Sequence, residues 1–553
     1  MNDGLIRCCS LATCLILVWP TGLLSAGDAL SDNDVIMRAI VDEMTRSMDE
    51  LYLEGLSKPY MITLGAEDAI SYNMQASYGA ILRSVRRHSR SLKSRVRVGD
   101  YNLDNTNLGF ATGGRSLLPL DDNYTALRQA VWSTLDQDYK RAVETLARKK
   151  AYLQQKNVVD RPADYAPGQG VVAIEPSPEI VVDRSGWEET LRRISIRFEQ
   201  HPAIQDSSVS FTAVAANRWI ASSEGTRIRT GDTGALLRFW GQLQAEEGMR
   251  LSDAVSYIAL QPGDLPPVDQ MLADVDAMCE KLDRASKAAV LDEYTGPILF
   301  DAPAAGRVFE ALLIDGLCAR PIPLGSGGRG DESLEKKIGR RILPRTFRVF
   351  DDPTQTMFDG TVLVGSYQFD DEGTPAQRVD LVERGILKSM IAARAPTKKT
   401  TKTNGHGRSA GFGDPQATIG CLYISDDKGF ADAELQQALI QAAKDEGLTY
   451  GLRIESMEAG RGGSLGNPIY GYKVFVDDGH EEMIRGMEFG SIETRELKHI
   501  LAGGRTPAVY NRNAGAGYSI IAPAILFEEL ELTKIEKEFD RLPILNAPET
   551  RKP

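Results

Sequence analysis

Histidine is scarce in this chain, and what there is lies scattered. His88, His201, His406, His480 and His499 are separated by gaps of 113, 205, 74 and 19 residues. No two fall on one helical face, which excludes a local zinc motif. Cysteine is as sparse. Cys8, Cys9 and Cys14 fall at the very start, leaving Cys279, Cys318 and Cys421, an odd and widely spaced trio that makes no disulfide framework. Buried small hydrophobes are their expected role, with a single bridge left open in an oxidising compartment. Beyond the N-terminus no apolar run approaches the roughly 20 residues of a membrane-spanning helix. Basic residues are outnumbered 64 to 77, which argues against bulk attraction to nucleic acid or anionic lipid. One stretch runs the other way: Arg83, Arg86, Arg87, Arg90, Lys93, Arg95 and Arg97. Without interleaved aromatics it predicts a solvated strand pair rather than a nucleic-acid surface.

The N-terminus carries an apolar run from Cys8 to Leu24 behind a single basic residue, Arg7, and ends in Leu24-Ser25-Ala26. This pattern predicts a signal peptide over 1–26 and an exported mature protein, periplasmic or extracellular. Pro20 and Gly22 interrupt the run and polar residues follow from Gly27, so no stable membrane span is expected. With 42% hydrophobic and 25% charged residues in 553, the remainder is an ordinary globular chain of two to four domains.

The expected fold class is α/β (α+β), a mixed α/β region over 34–290 followed by a β-rich C-terminal domain with a few helices over 291–540. A break near 160–180 would divide the first region in two. Ile36, Ile40, Val41, Met44 and Met48 recur at helical spacing behind Asp34, and strand formers fill Pro59 to Val98. Asp121-Asp122 opens a long helix with the stripe Leu127, Val131, Leu135, Tyr139, Val143 and Leu146. Pro162, Pro167, Gly168, Gly170, Pro176 and Pro178 predict a linker or an irregular connection. Ser185 to Glu188 has capping-box form and starts a helix to about Gln200. Val209 to Ala215 and Trp219 to Ser222 read as a hairpin turning at Ala216-Asn217, and a helix runs from Val268 to Ala285. In the second half, Pro297 to Phe300 is a short apolar strand. It feeds a helix whose buried face holds Ala304, Ala305, Val308, Phe309 and Leu312. A further helix starts at Asp432, with Leu435, Leu439 and Ala442 on one face and Gly447 at its end.

Three chemical strings fail on context. Gly462-Gly463-Ser464-Leu465-Gly466 matches a nucleophile elbow, which needs a helix after the serine; Asn467-Pro468 and a strand-like Tyr470 to Val476 follow instead. Gly325 to Gly330 matches a dinucleotide fingerprint, yet Pro321 and Pro323 spoil the preceding strand. His480-Glu481-Glu482 has no second histidine at helical spacing and reads as a polar turn.

A further series of strings forms an ordered set. It comprises Ser223-Glu224-Gly225-Thr226, Tyr294 to Phe300, Phe369-Asp370-Asp371-Glu372-Gly373-Thr374-Pro375-Ala376-Gln377 and Asp380 to Leu387. Asn404-Gly405-His406-Gly407-Arg408 and Pro523 to Leu530 complete it. The series resembles the TldD/PmbA family of metallopeptidase-like proteins, the modulator-of-gyrase family, over about Ser185 to Leu532. Active members carry His-Glu-x-x-x-His on a helix after such a strand, so the resemblance implies zinc-assisted peptide hydrolysis. Here the three slots fall on Asp301, Ala302 and Gly306, and no cysteine follows Cys421 to serve as the family's cysteine ligand. The chain is thus more similar to PmbA-type members, which resemble the non-catalytic half of a heterodimer enclosing a peptide-degrading cavity.

The expectation is therefore an exported, non-catalytic subunit that binds unfolded peptide or protein. It would act as a homodimer or as a heterodimer with a family member, without nucleic acid and without a cofactor unless zinc finds a site outside the motif. Two alternatives stay open. One is an active metallopeptidase with an unrecognised site, for which Asp301, Glu310 and His406 are the candidates. The other is a structural or interaction protein of the cell envelope. Asn404, His406 and Arg408 are the candidate substrate-binding residues, with Arg408 suited to a carboxylate.

Overall fold

The structure, a computed structural model, describes residues 34–109, 113–326, 333–409, 413–460, 464–513, 515–536 and 539. The segment expected to be a signal peptide and parts of the two rejected glycine strings lie outside the described residues.

The first half is built on one twisted sheet with very long strands. β1 (Pro59–Ser77) and β2 (Ala80–Val98) form a hairpin, β3 (Gly114–Leu117) edges β2, and β4 (Val172–Ile174) runs parallel to the start of β6. β5 (Asp206–Ser222), β6 (Arg227–Gln244) and β7 (Arg250–Ala259) complete it in the order β3-β2-β1-β5-β6, with β4 and β7 both on β6. Side chains alternate across a strand, and here most core positions share one face, while Met61 and Ile228 are buried on the other. Near one end Ile62, Leu64, Leu92, Val96 and Ala221 pack under helices α1 (Val35–Glu50) and α2 (Tyr124–Lys156). Near the other end Met74, Val209, Phe211, Leu237 and Phe239 pack under α3 (Arg184–Ile196) and α4 (Val268–Lys287). The opposite face is polar, with Ser71, Asn73, Gln75, Thr212, Ser210 and Ser208 on adjoining strands.

Several details differ from the sequence expectation, each for a physical reason. The hairpin expected at Ala216-Asn217 is a straight strand, because Asn217 pairs with Asp68 on one side and Gly231 on the other. A turn there would forfeit both ladders. The chain reverses instead at Ser223 to Gly225, where Gly225 adopts φ +98°, a backbone conformation that costs glycine little. Of the two readings of the Pro/Gly-rich segment, linker or irregular connection, the structure has the second, an irregular strap packed down with Asp164 and Tyr165 buried. The basic strand is only partly solvated: Arg90 is buried against Asp68, and Arg97 against Asp104. Helix starts shift slightly. Asn123 rather than Asp121-Asp122 caps α2, and Asp183 rather than Ser185 caps α3.

The second half is a larger mixed sheet. Its strands are β8 (Ala289–Val290), β9 (Glu293–Phe300), β10 (Phe347–Asp351), β11 (Val379–Glu383), β12 (Ile386–Leu387) and β13 (Cys421–Asp426). They continue with β14 (Tyr450–Met457), β15 (Pro468–Phe475), β16 (Glu481–Arg485), β17 (Met487–Phe489), β18 (Ile500–Arg512) and β19 (Tyr518–Lys534). The order is β12-β11-β10-β13-β19-β9-β14-β15-β16-β8, with β17 and β18 also on β19. Central strands are covered on both faces. Ile298, Phe300, Ile525 and Phe527 face helix α5 (Ala302–Leu312) and the main core, while Leu299, Leu526 and Ala524 face α6 (Asp432–Asp445). Burial on both sides explains why these strands read as unbroken apolar runs. The β11–β12 hairpin turns at Arg384 and Gly385, both at positive φ, as a two-residue loop favours. Tyr470 of β15 donates to Asp253 of β7 at 2.8 Å, and Lys281 of α4 pairs with Glu455 of β14, so the two halves share polar contacts.

Candidate functional site

The turn from β9 into α5 is where the family resemblance places zinc ligands. Asp301 ends the strand and Pro303 suits the first turn of the helix. The Asp301 carboxylate is held by Arg453 in a two-pronged ion pair, Nε to Oδ1 at 3.0 Å and Nη2 to Oδ2 at 2.8 Å. Arg453 also reaches Glu481 at 2.8 Å. Burial pushes the Asp301 carboxyl up, and Arg453 opposes it. Ala302 offers no donor. At Gly306 a Cβ atom would lie 2.8 Å from the Cβ of Tyr510 on β18, closer than real side chains approach, so a histidine there would have to displace that strand. One turn further, Glu310 accepts from Arg512 at 2.6 Å, Tyr518 at 2.7 Å and Tyr510 at 3.0 Å. Burial together with the Glu310 charge lifts the Tyr510 hydroxyl to about 12. These residues do not fit a zinc ion. Among the described residues no group of three or more histidine, cysteine, aspartate or glutamate side chains is placed to hold a metal.

His406 sits elsewhere, fully buried, with Nδ1 2.9 Å from the Asn404 carbonyl and Nε2 2.9 Å from Asp351 Oδ1. Both ring nitrogens are thus engaged in hydrogen-bond contacts. Asp351 also accepts from the Gly420 amide at 3.1 Å. The Asn404 amide bonds the backbone of Met390 and Ala392 as a strand would. Arg408 donates to the Ala516 carbonyl at 2.7 Å and lies 4.2 Å over the Tyr367 ring. Its other terminal nitrogen, Nη1, is buried without a hydrogen-bond partner among the described residues. Asp301, Glu310 and His406 thus hold separate sets of partners, and only Arg408 keeps an unused donor.

What the signature strings build together is a buried polar knot between the two sheets. The turn Ser223 to Thr226 meets the loop Asp370 to Thr374, where a Cβ on Gly373 would lie 2.8 Å from Thr226 Cγ2. Asp370 is fully buried and accepts from the amides of Glu372, Thr374 and Gly407. Glu372 accepts from the Tyr165 hydroxyl at 3.1 Å and the Arg394 amide at 2.7 Å. The Arg394 guanidinium pairs with Glu224 at 2.7 Å and donates to the Ala166 carbonyl. Tyr165 has the Arg97 and Arg394 guanidiniums 3.6 Å and 4.4 Å from its ring centre. Sequence reasoning found Glu224, Asp370 and Glu372 only as parts of strings. It had Arg97 only as the end of the basic stretch, and it missed Tyr165 and Arg394, whose sole signal was polar residues inside otherwise unpatterned segments.

Electrostatics divide the knot. Burial drives Glu372 up, and burial reinforced by the Glu372 charge drives Asp370 well above the carboxylate range. Burial would also raise Glu224, but the Gly168 amide, Arg394 and Tyr101 outweigh it and hold that carboxyl down. A carboxyl raised by folding favours the fold below its unfolded pKa, about 4.3 for glutamate, and that contribution is lost as pH rises through the folded value. Glu372→Gln mimics the protonated form, since the Tyr165 hydroxyl can turn to accept. Wild type should therefore lose stability relative to this variant as pH is raised from about 4, measured as urea midpoints across a pH series. A flat or reversed difference would refute the buried-acid reading.

Residues 293–534 match the PmbA/TldA metallopeptidase C-terminal domain. A metalloprotease of Archaeoglobus fulgidus is 27% identical over 176 residues, 32% of this chain and 38% of that protein. A metalloprotease of Methanothermobacter thermautotrophicus is 35% identical over 97 residues, 17% of this chain and 20% of that protein. The matched stretches thus span well under half of either relative. The crystal structure of TldE from Thermococcus kodakarensis superposes with a TM-score of 0.59 at 14% identity, covering 90% of this chain and all of the other, a likeness that speaks for the fold. Residues 293–534 are thus a domain of the PmbA/TldA metallopeptidase C-terminal type, and the fold of TldE is shared along most of the chain.

Proposed function

We propose that this chain is a non-catalytic member of its family, exported by its N-terminal leader, that binds extended peptide and pairs with a family member. The observation that carries the reading is the filled zinc position: Asp301 is committed to Arg453, Ala302 has no donor, and Gly306 is closed off by Tyr510. A subunit so built keeps the scaffold and does without the hydrolytic centre. The peptide-binding part rests on Arg408, whose Nη1 has no hydrogen-bond partner among the described residues and suits a carboxylate. Export rests on the pattern of residues 8–26, and among the described residues no helix is long and apolar enough to cross a membrane.

The test is metal analysis of the purified mature protein together with cleavage of an unstructured peptide, with and without chelator. The expected result is no stoichiometric zinc and no cleavage, with peptide binding that Arg408→Ala weakens by tenfold or more, about 1.4 kcal/mol or upward. Near-stoichiometric zinc with chelator-sensitive cleavage would overturn the proposal and make the chain a peptidase whose site is assembled from other residues.

A further inference from the structure

The basic strand β2 has a feature that the family reading does not use. Its hairpin with β1 ends in a two-residue turn, with Tyr78 at φ +45° and Gly79 at φ +74°. Left-handed backbone is uncommon for a residue other than glycine, asparagine or aspartate, yet here it carries an aromatic at the apex. Tyr78 is 41% exposed, Leu82 63% and Val85 41%, and Ile196 at the end of α3 is 49% exposed. Ile196 packs on this turn, since a Cβ on Gly79 would lie 3.3 Å from its Cδ1, and the Gly79 amide donates to Ser195 Oγ at 3.0 Å. Leu82 falls in a register shift between β1 and β2, and such a bulge re-aims a side chain out of the ladder.

Behind these apolar side chains stand arginines. Arg83 and Arg87 lie opposite Gln75 and Ser71 on the open face of the sheet, and Arg86 lies opposite Tyr72 on the other face. Arg83 and Arg87 make no ion pair among the described residues. Among the described residues Arg86 is held by the Tyr72 hydroxyl at 3.3 Å and its ring. Arg192 on α3 is exposed on the same end. In a chain of net charge −13 this is a local cationic collar around an apolar apex.

We propose that the β1–β2 hairpin tip, with the adjoining end of α3, docks peripherally on an anionic phospholipid surface. The apex is convex, so it suits a deformable layer that can admit Tyr78, Leu82 and Ile196. Arginines on both faces of the hairpin meet headgroup phosphates around it, whereas a protein groove would have to supply carboxylates on two sides. Tyrosine at an apolar–polar boundary and basic residues beside it are the composition of interfacial anchors. A symmetric pairing with a second copy would bring two cationic collars together and is disfavoured.

The experiment is co-sedimentation of the full mature chain with phosphatidylcholine vesicles, with and without phosphatidylglycerol, at low and high salt. Binding is expected only to the anionic vesicles and should fall with salt. Each basic residue near an anionic surface is worth about fivefold in affinity, so Arg83→Gln with Arg87→Gln should bind roughly 25-fold more weakly. Tyr78→Ser with Leu82→Ser should weaken binding independently, and unchanged thermal unfolding of either pair shows that the fold is kept. Equal binding by wild type and both pairs, equal binding to neutral vesicles, or no binding at all would overturn the proposal. So would tip-dependent self-association without vesicle binding, which would assign the surface to a second copy.

Discussion

Replacing Arg394 by alanine is expected to cost about 3–5 kcal/mol of stability, the loss typical of breaking one side of a buried ion pair. The Arg394 guanidinium is 4% exposed, pairs with Glu224, donates twice to the Ala166 carbonyl and stacks on Tyr165. Its removal leaves Glu224, among the described residues, with the Gly168 amide and the Tyr101 hydroxyl, removes both donors to the Ala166 carbonyl, and opens a space beside an aromatic ring. Arg394→Lys should recover part of the loss, because an ammonium restores charge without the planar fork. Denaturant unfolding measures the effect. Limited proteolysis should find the first cuts near Asp164 to Gly170, the strap that Arg394 and Glu224 hold down. A variant as stable as wild type, with the strap still protected, would mean that the knot does not tie the two sheets together.

His406→Ala should be comparably destabilising, about 3–5 kcal/mol, because it strands the fully buried Asp351 carboxylate. Removing both partners leaves no uncompensated charge, so Asp351→Ala with His406→Ala should unfold no more readily than His406→Ala alone. This pattern separates a structural pair from a catalytic one. If His406 served only chemistry, its replacement would leave the unfolding midpoint in place and the double variant would add nothing to interpret.

Helices were the part of the architecture most legible in the sequence. The stripe Leu127, Val131, Leu135, Tyr139 and Leu146 is buried along α2, and Ala304, Ala305, Val308, Phe309 and Leu312 are buried along α5. Helical periodicity is a local signal that survives whatever the helix packs on. Strand boundaries were less legible. The reversal after β5 was expected seven residues early, because Ala216-Asn217 resembles a turn until β1 and β6 are placed on either side of it. The strap at 162–178 reads equally as a linker or an irregular connection because its proline and glycine content reports the absence of regular structure, not the absence of contacts.

For the site, the division is sharper. Sequence alone determined that the residue types for a local zinc motif are missing, since identities at Asp301, Ala302 and Gly306 do not depend on folding. It also gave the order of strings that marks the family. Only the tertiary structure decided what stands in the zinc position: Arg453 lies 152 residues from Asp301, and Tyr510 is brought onto Gly306 by the pairing of β18 with β19. The knot of Arg97, Tyr165, Glu224, Glu372 and Arg394 is likewise invisible until two sheets meet. Ion pairs and hydrogen bonds are fixed by proximity in space, and a one-dimensional pattern carries that information only where partners are neighbours along the chain.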